Sequence, residues 1–147
     1  MNLLIVDDEY LVVEEVVTVT DWELLGITEI YSATNAVSAV RILNEKKIDI
    51  MICDIEMPQT DGLELSKKAK ENFPDLEIVM LTSHAEFNYV RNALRYGCYD
   101  YLLKPVMEDD IIKVMKNLVT KIERERHQAQ LQEEGIVWNQ LKPVWKE

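Results

Sequence analysis

Asp54-Ile55-Glu56-Met57-Pro58 (residues 54–58) is the segment around which the rest of this sequence is organised. Residues 48–53, immediately before it, are Ile-Asp-Ile-Met-Ile-Cys, an apolar run with one acid. A short run of this kind that ends at a charge is typical of a strand buried on both faces of a parallel sheet. Pro58 and the pair Asp61-Gly62 indicate that a loop follows. Asp54 is therefore expected at the carboxyl end of a buried strand, where open α/β sheets bind ligands. The alternative is that Asp54 only caps the next helix.

Four more runs have the pattern of strands, and a helical pattern follows each strand. The predicted strands are residues 3–6, 29–33, 48–53, 76–81 and 100–103. The predicted helices begin near residues 10, 35, 63, 86 and 109, and the last one ends near Arg126. Gly26 is expected to end the first helix. Five strands that alternate with helices predict a parallel sheet with helices on both faces and right-handed crossovers.

The composition is that of an ordinary globular domain with a strong negative charge. The 147 residues are 48% hydrophobic and 29% charged, and the net charge is −11. Because binding to nucleic acid requires clustered Lys and Arg, this segment is not expected to bind DNA or RNA. Because the first residues reach Asp7 early and contain no basic residue, they are not expected to be a signal peptide, and no apolar run has the length expected of a membrane span. Cys53 and Cys98 lie far apart in apolar surroundings, so we expect buried, reduced thiols and a cytoplasmic location.

Polar side chains follow four of the five predicted strands: Asp7-Asp8, Asp54, Thr82-Ser83 and Lys104. Because parallel strands end at one edge of a sheet, three carboxylates, a hydroxyl and an ammonium should converge there. Two unit charges about 4 Å apart repel by roughly 4 kcal/mol at an effective dielectric constant near 20, and one lysine cannot neutralise three acids. We therefore expect a divalent cation, and hard oxygen ligands favour Mg²⁺ over Zn²⁺.

A cation, a lysine, a hydroxyl and a free carboxylate together suit the transfer of a phosphoryl group onto that carboxylate. The metal and the lysine neutralise charge on the equatorial oxygens of the group in transfer. Carboxylates serve as phosphoryl acceptors in proteins. The chain has four glycines and no G-x-x-x-x-G-K motif, which excludes a P-loop NTPase.

These motifs together resemble the receiver domain of two-component response regulators. The matching pieces fall in the family's order and spacing over about residues 1–125: Asp7-Asp8, residues 54–58, Asp61-Gly62, Thr82-Ser83, Tyr101 and Lys104-Pro105. Residues 21–26 (Asp-Trp-Glu-Leu-Leu-Gly) and 86–89 (Glu-Phe-Asn-Tyr) resemble receivers attached to AraC-type DNA-binding domains. The resemblance implies a flavodoxin-like, doubly wound α/β fold whose five parallel strands lie in the order 2-1-3-4-5.

The resemblance also implies roles for the residues that contact the phosphate. Asp54 is similar to the family's phosphoacceptor, and Lys104 would pair with a phosphoryl oxygen. Thr82 would move towards the phosphate, and Tyr101 would follow it inward as the second switch residue. From the residues alone, Tyr101 could also be a half-buried strand aromatic, and Thr82 could be a helix cap.

The implied metal site uses the same acids. Asp8, Asp54 and the backbone carbonyl of Glu56 would bind Mg²⁺, with Asp7 assisting. The resemblance further implies a cis peptide bond between Lys104 and Pro105, a geometry that is nearly confined to bonds before proline.

As a member of this family, the chain would be a phosphorylation-dependent signalling switch. It would take a phosphoryl group from a sensor histidine kinase, change its interaction surface, dimerise, and control a DNA-binding output domain that this segment lacks. It would catalyse only its own phosphorylation and dephosphorylation, and it would not bind membranes. The alternatives are a stand-alone receiver or interaction module that acts through protein contacts, and a Mg²⁺-dependent phosphohydrolase. In the phosphohydrolase, Glu56 would only loosely imitate the second acid of a D-x-D motif.

The character of the sequence changes after Arg126, so we predict a receiver domain over residues 1–126. Residues 127–147 are then a linker or the start of a helical connection to a missing output domain. Apolar residues recur every seven positions, which resembles a coiled-coil seam, at Leu131, Trp138 and Trp145. Because Gly135 and Pro143 oppose a continuous helix, a frayed linker is favoured.

Overall fold

The core of the molecule is a sheet of five parallel strands, as predicted. The computed structural model describes residues 1–57, 60–83 and 87–145, with residues 60, 87, 89 and 135–145 described by their backbone alone. Pro58 and Glu86, which belong to the predicted motifs, lie outside the described residues. The strands of the sheet are β1 (Asn2–Val6), β2 (Glu29–Ala33), β3 (Ile50–Asp54), β6 (Glu77–Thr82) and β7 (Asp100–Leu103). Two short strands pair antiparallel outside it, β4 (Glu56–Met57) and β5 (Thr60–Asp61).

The strands of the sheet lie in the order β2-β1-β3-β6-β7, and all neighbours are parallel. With the two short strands left out of the count, this is the predicted order 2-1-3-4-5. β3 is the central strand and pairs with β1 and β6, so Asp54 stands opposite Leu81 at its carboxyl end. Because β1, β3 and β6 are covered on both faces, their sequences are apolar runs and do not alternate.

Helices cover both faces of the sheet and form two separate cores. The helices are α1 (Tyr10–Thr18), α2 (Ala36–Glu45), α3 (Gly62–Asn72), α4 (Phe87–Arg95) and α5 (Glu108–Trp145). One core packs α1 and α5 against Ile5 and Ile52. The other packs α2 and α3 against Leu4 and Met51. Within the described ranges, no helix combines the length and the apolar character that crossing a bilayer requires.

The first helix ends earlier than predicted. α1 stops at Thr18, and Gly26 ends a separate 3₁₀ turn over Trp22–Leu25, where its φ angle is +90°. The prediction that Gly26 ends the first helix was therefore wrong. Trp22 is buried, and its Nε1 donates a hydrogen bond of 3.1 Å to the carbonyl oxygen of Val16. This bond folds the turn back onto α1 and makes Trp22 a residue of the core.

The last helix is longer than predicted. α5 runs from Glu108 to Trp145 as one element, so the prediction that the last helix ends near Arg126 was wrong. Its inward side is buried as far as Ile122, and residues 127–134 are exposed. Residues 128–134 are all strong helix formers and favour continuation of the helix, whereas Gly135, at a cost of about 1 kcal/mol, and Pro143 oppose it. The domain boundary at residue 126 stays a prediction.

Candidate acidic site

Four strands bring polar residues to the carboxyl edge of the sheet. Asp54 is the last residue of β3 and Thr82 is the last of β6, while Asp7 and Lys104 directly follow β1 and β7. The Lys104 N–H donates a hydrogen bond of 2.8 Å to the carbonyl oxygen of Thr82, which joins those two strand ends. Carboxylate oxygens of Asp7, Asp8 and Asp54 lie within 4.8 Å of one another. The predicted convergence of the three acids is therefore confirmed.

Lys104 lies between the two buried acids of this cluster. Its Nζ is 2.8 Å from Oδ2 of Asp7 and 3.3 Å from Oδ2 of Asp54. Asp7 and Asp54 are buried, whereas Asp8 is exposed. Because three carboxylates face one ammonium group, the site as a whole keeps a surplus of negative charge.

Backbone amides bind one oxygen of each buried acid. The Glu9 N–H donates to Oδ1 of Asp7 at 2.9 Å, and the Glu56 N–H donates to Oδ1 of Asp54 at 3.1 Å. Each carboxylate thus has its Oδ2 towards Lys104. Asp7 Oδ2 is completely buried and accepts no hydrogen bond from the described residues, so its contact with Lys104 is an ion pair without good hydrogen-bond geometry. This oxygen retains lone pairs for a further cationic partner.

The next helix is capped by Asp61. Oδ1 of Asp61 accepts a hydrogen bond of 2.9 Å from the N–H of Leu63 in the first turn of α3. The alternative that Asp54 only caps this helix is therefore wrong. The carboxylate of Asp54 lines the acidic cleft instead.

The surroundings shift the pKa values of Asp54 and Lys104. Burial raises the pKa of Asp54 to about 6; the Glu56 N–H and Lys104 oppose this rise, and the charge of Asp7 adds to it. Burial would lower the pKa of Lys104, but the close negative charges of Asp7 and Asp54 raise it above its ordinary value. Lys104 is therefore held in its charged form, and a further cation would favour the ionised carboxylate of Asp54.

The donors of the site fit a hard divalent cation. A cleft of about 350 Å³ lies beside the acids and is lined by Asp8, Glu9, Asp54, Glu56, Met57, Ser83 and Lys104. The cluster consists of carboxylates alone, and one of its buried oxygens accepts no hydrogen bond from the described residues. Oxygen donors of this kind suit Mg²⁺. The role of the Glu56 carbonyl as a ligand stays a prediction.

The two predicted switch residues differ in burial. Thr82 is fully buried, whereas Tyr101 is half-buried in the edge strand β7 and packs against the core under α2 and α3. The peptide bond between Lys104 and Pro105 is cis, as the resemblance implies. Inward movement of Thr82 and Tyr101 stays a prediction.

Gly62 has a role at the site that sequence reasoning missed. A Cβ atom built on Gly62 would lie 2.0 Å from the carbonyl oxygen of Asp54 and 2.9 Å from Cα of Ile55. The Gly62 N–H donates a hydrogen bond of 3.2 Å to the carbonyl oxygen of Ile55. The start of α3 therefore lies directly against the strand end that carries Asp54, and only glycine permits this approach. In the sequence, Gly62 indicates a turn and is part of the matching motif Asp61-Gly62, but neither signal predicts its contact with Asp54.

Comparison with known proteins identifies the family of this chain. Residues 3–116 match the model of the response regulator receiver domain. The Bacillus subtilis (strain 168) protein YesN, an uncharacterized transcriptional regulatory protein, is 34% identical over 124 residues. That match covers 84% of this chain and 34% of YesN, so the chain spans about a third of the length of this relative.

Solved structures agree with this match. The REC domain of AraT, a response regulator from Geobacillus stearothermophilus, has a TM-score of 0.79 and 30% identity, covering 85% of this chain and 97% of that one. A two component transcriptional regulator AraC from Clostridium phytofermentans ISDg has the same fold, with a TM-score of 0.79, 23% identity, and coverage of 86% and 98%. The chain therefore belongs to the response regulator receiver domain family of two-component signal transduction. The predicted resemblance and the flavodoxin-like fold class are confirmed.

Proposed function

We propose that this chain is a phosphorylation-dependent switch in which Asp54 accepts a phosphoryl group from a sensor histidine kinase. The observation that carries the proposal is the position of the Asp54 carboxylate, which is buried at the end of the central strand, 3.3 Å from Nζ of Lys104. In the transfer, a bond forms between an Asp54 oxygen and phosphorus, and the bond from phosphorus to the histidine nitrogen of the kinase breaks. The protein catalyses only its own phosphorylation and dephosphorylation.

Lys104 and Thr82 recognise the new phosphoryl group in this proposal. Phosphorylation adds about −1.5 to −2 charge and three strong acceptor oxygens, and Lys104 and the Thr82 hydroxyl donate to them. Each such hydrogen bond contributes about 1.5–3 kcal/mol, and two or three of them are expected. Their sum is comparable with the roughly 5.5 kcal/mol that shifts a two-state equilibrium from 1:99 to 99:1. The backbone bond between Lys104 and Thr82 lets the two strand ends move together, and Tyr101 follows them inward.

Mg²⁺ is the cofactor in this proposal, with Asp7, Asp8, Asp54 and the carbonyl oxygen of Glu56 as its ligands. The ion supplies positive charge that neutralises the equatorial oxygens of the phosphoryl group. Asp8 is the one exposed acid of the cluster, so its side chain can be removed without opening the core.

Replacing Asp8 with Ala should weaken Mg²⁺ binding by about tenfold or more, the equivalent of about 1.4 kcal/mol. One of three acids at the cation site is lost, while the hydrogen bonds of Asp7 and Asp54 remain. Stability without Mg²⁺ should be unchanged or higher, because repulsion within the cluster falls. Titration calorimetry measures the affinity, with Asp75→Ala, an exposed acid outside the cluster, as the matched control. Wild-type affinity in Asp8→Ala would remove Asp8 from the ligand set.

The output of the switch is control of transcription through a DNA-binding segment that lies outside these 147 residues. The name of YesN and the share of its length that this chain spans support this proposal. The net charge of −11 opposes contact with the phosphate backbone of DNA, so this fragment itself is not expected to bind DNA.

Phosphorylation should raise the fraction of dimer through the face formed by α4, β7 and α5. Leu94 of α4 and Leu103 of β7 are exposed, and burial of these side chains against a second copy would remove them from water. Sedimentation velocity with and without beryllofluoride, a mimic of the phosphoryl group, measures the change. A molar mass that stays monomeric with beryllofluoride at high protein concentration would contradict the expectation.

Mass spectrometry tests the central proposal. Incubation with acetyl phosphate and Mg²⁺ should add the mass of one phosphoryl group, and chelation of Mg²⁺ should prevent the gain. An unchanged mass under conditions in which Mg²⁺ binds would contradict the proposal. Steady turnover of a phosphate ester would indicate the phosphohydrolase alternative instead.

A further inference from the structure

Two buried acids lie at the opposite end of the central strands from the acidic site. Asp49 directly precedes β3, and Glu77 is the first residue of β6. Each is only 7% exposed, and the Glu77 N–H donates a hydrogen bond of 3.1 Å to the carbonyl oxygen of Asp49. Strand β3 therefore has a buried acid at each of its two ends, Asp49 and Asp54.

Both of these acids pair with basic residues of α5. Arg126 donates to Oδ1 of Asp49, and Nζ of Lys121 lies 2.7 Å from Oε1 of Glu77. The second carboxylate oxygen of Asp49 accepts a hydrogen bond of 2.7 Å from the N–H of Asn2. Asp49 thus joins the start of β1, the start of β3 and the helix α5 through one side chain.

Arg126 lies directly after the end of the apolar stripe of α5. The inward side of the helix is buried at Ile111, Met115, Leu118 and Ile122. The next inward position, four residues after Ile122, is Arg126, and residues 127–134 beyond it are exposed. Among the side chains that the structure describes, the pair of Arg126 with Asp49 is therefore the last polar contact of α5 with the sheet.

We propose that Asp49 and Arg126 form a clamp that sets the direction in which α5 leaves the receiver body. Beyond Arg126 the helix continues to Trp145, a projection of about 28 Å at 1.5 Å per residue. A tilt of about 10° at Arg126 would move the far end of such a rod by roughly 5 Å. The clamp would therefore set the orientation of the projecting helix relative to any partner that binds it.

Burial distinguishes this pair from an ordinary surface ion pair. Exposed pairs contribute little to stability, because water already solvates both charges. Asp49 is buried, so the loss of Arg126 would leave its charge with the Asn2 N–H as its remaining hydrogen-bond donor among the described residues. Arg126 itself is half-exposed, which allows its replacement without a cavity in the core.

Distances between two spin labels test the clamp directly. One label is placed on Asn44→Cys, exposed at the end of α2, and the other on Gln140→Cys, in the projecting part of α5. The native thiols of Cys53 and Cys98 are buried and unlabelled under native conditions, since burial raises their pKa values to about 12 and about 11. Dilution with unlabelled protein ensures that the measured distances join two labels on the same molecule.

The labelled wild type should give one narrow distance distribution, and Arg126→Gln and Asp49→Asn should each broaden it by about 5 Å, the movement expected for a rod of this length. Arg124→Gln is the matched control, because Arg124 is exposed on the same helix and has no ion pair within the described ranges; it should leave the width unchanged. The double variant of Asp49 and Arg126 should be no broader than either single variant. Wild-type widths in both single variants, or a clearly broader double variant, would overturn the proposal.

The readouts separate this proposal from the proposed phosphorylation. Arg126→Gln leaves every residue of the acidic site in place, so its uptake of a phosphoryl group from acetyl phosphate should equal that of the wild type. The distance measurement needs no phosphorylation. The clamp proposal can therefore be contradicted while Asp54 still accepts a phosphoryl group, and the phosphorylation proposal can be contradicted while the clamp is confirmed. Circular dichroism verifies that each labelled variant is folded.

Discussion

Asp54→Asn should abolish the phosphoryl adduct that acetyl phosphate and Mg²⁺ form on the wild-type protein. The amide has nearly the shape of the carboxylate, but it is a poor nucleophile and carries no charge for Lys104 and Mg²⁺ to pair with. Asp7, the other buried acid, is completely buried and, unlike Asp54, is not among the residues that line the acidic cleft. It is therefore not expected to take over as acceptor. Intact-protein mass spectrometry measures the loss.

Asp49→Asn is the matched control for this experiment. Asp49 is a buried acid at the other end of the same strand, about 17 Å from Asp54 at 3.3 Å per residue. The same substitution there should leave phosphoryl uptake intact, which separates loss of the acceptor from loss of any buried charge on β3. A full-mass adduct on Asp54→Asn would move the acceptor to another residue.

The acidic site was predictable because it depends on strand ends alone. Once residues 3–6, 48–53, 76–81 and 100–103 are assigned to one parallel sheet, the geometry of that sheet places the residues after each strand at one edge. Asp7, Asp54 and Lys104 could therefore be brought together from the sequence, without knowledge of any loop. The burial of Asp7 and Asp54 follows from the same reasoning, because both faces of the central strands are covered.

Features that depend on the path of a loop or on long-range polar contacts were not predictable. Asp61 is the cap of α3 because the loop after β3 presents it to the N–H of Leu63, and the sequence contains several other acids that could do so. The full length of α5 was missed because Gly135 and Pro143 were given more weight than the strong helix formers at residues 128–134. The pair of Asp49 with Arg126 joins residues 77 positions apart, which no local pattern records.

Gly62→Ala should destabilise the protein and abolish most of its phosphoryl uptake. The new Cβ would lie 2.0 Å from the carbonyl oxygen of Asp54, so either α3 or the end of β3 must move by more than 1 Å to relieve the overlap. Overpacking of this kind costs about 1–3 kcal/mol or more. A displacement of about 1 Å at a reacting group can lower a rate by roughly 100-fold. Urea unfolding measures the stability, and the initial rate of adduct formation measures the uptake.

Gly97→Ala is the control that separates strain in the backbone from displacement of Asp54. Gly97 has a φ angle of +91°, and a Cβ there would lie 3.6 Å from Cγ of Lys70, an ordinary contact. This variant should lose about 1–2 kcal/mol of stability from the left-handed conformation alone, yet phosphorylate at the wild-type rate. At temperatures at which both variants are fully folded, Gly62→Ala should form the phosphoryl adduct more slowly than Gly97→Ala. Wild-type rates in folded Gly62→Ala would mean that the close contact between α3 and Asp54 has no part in positioning the acceptor.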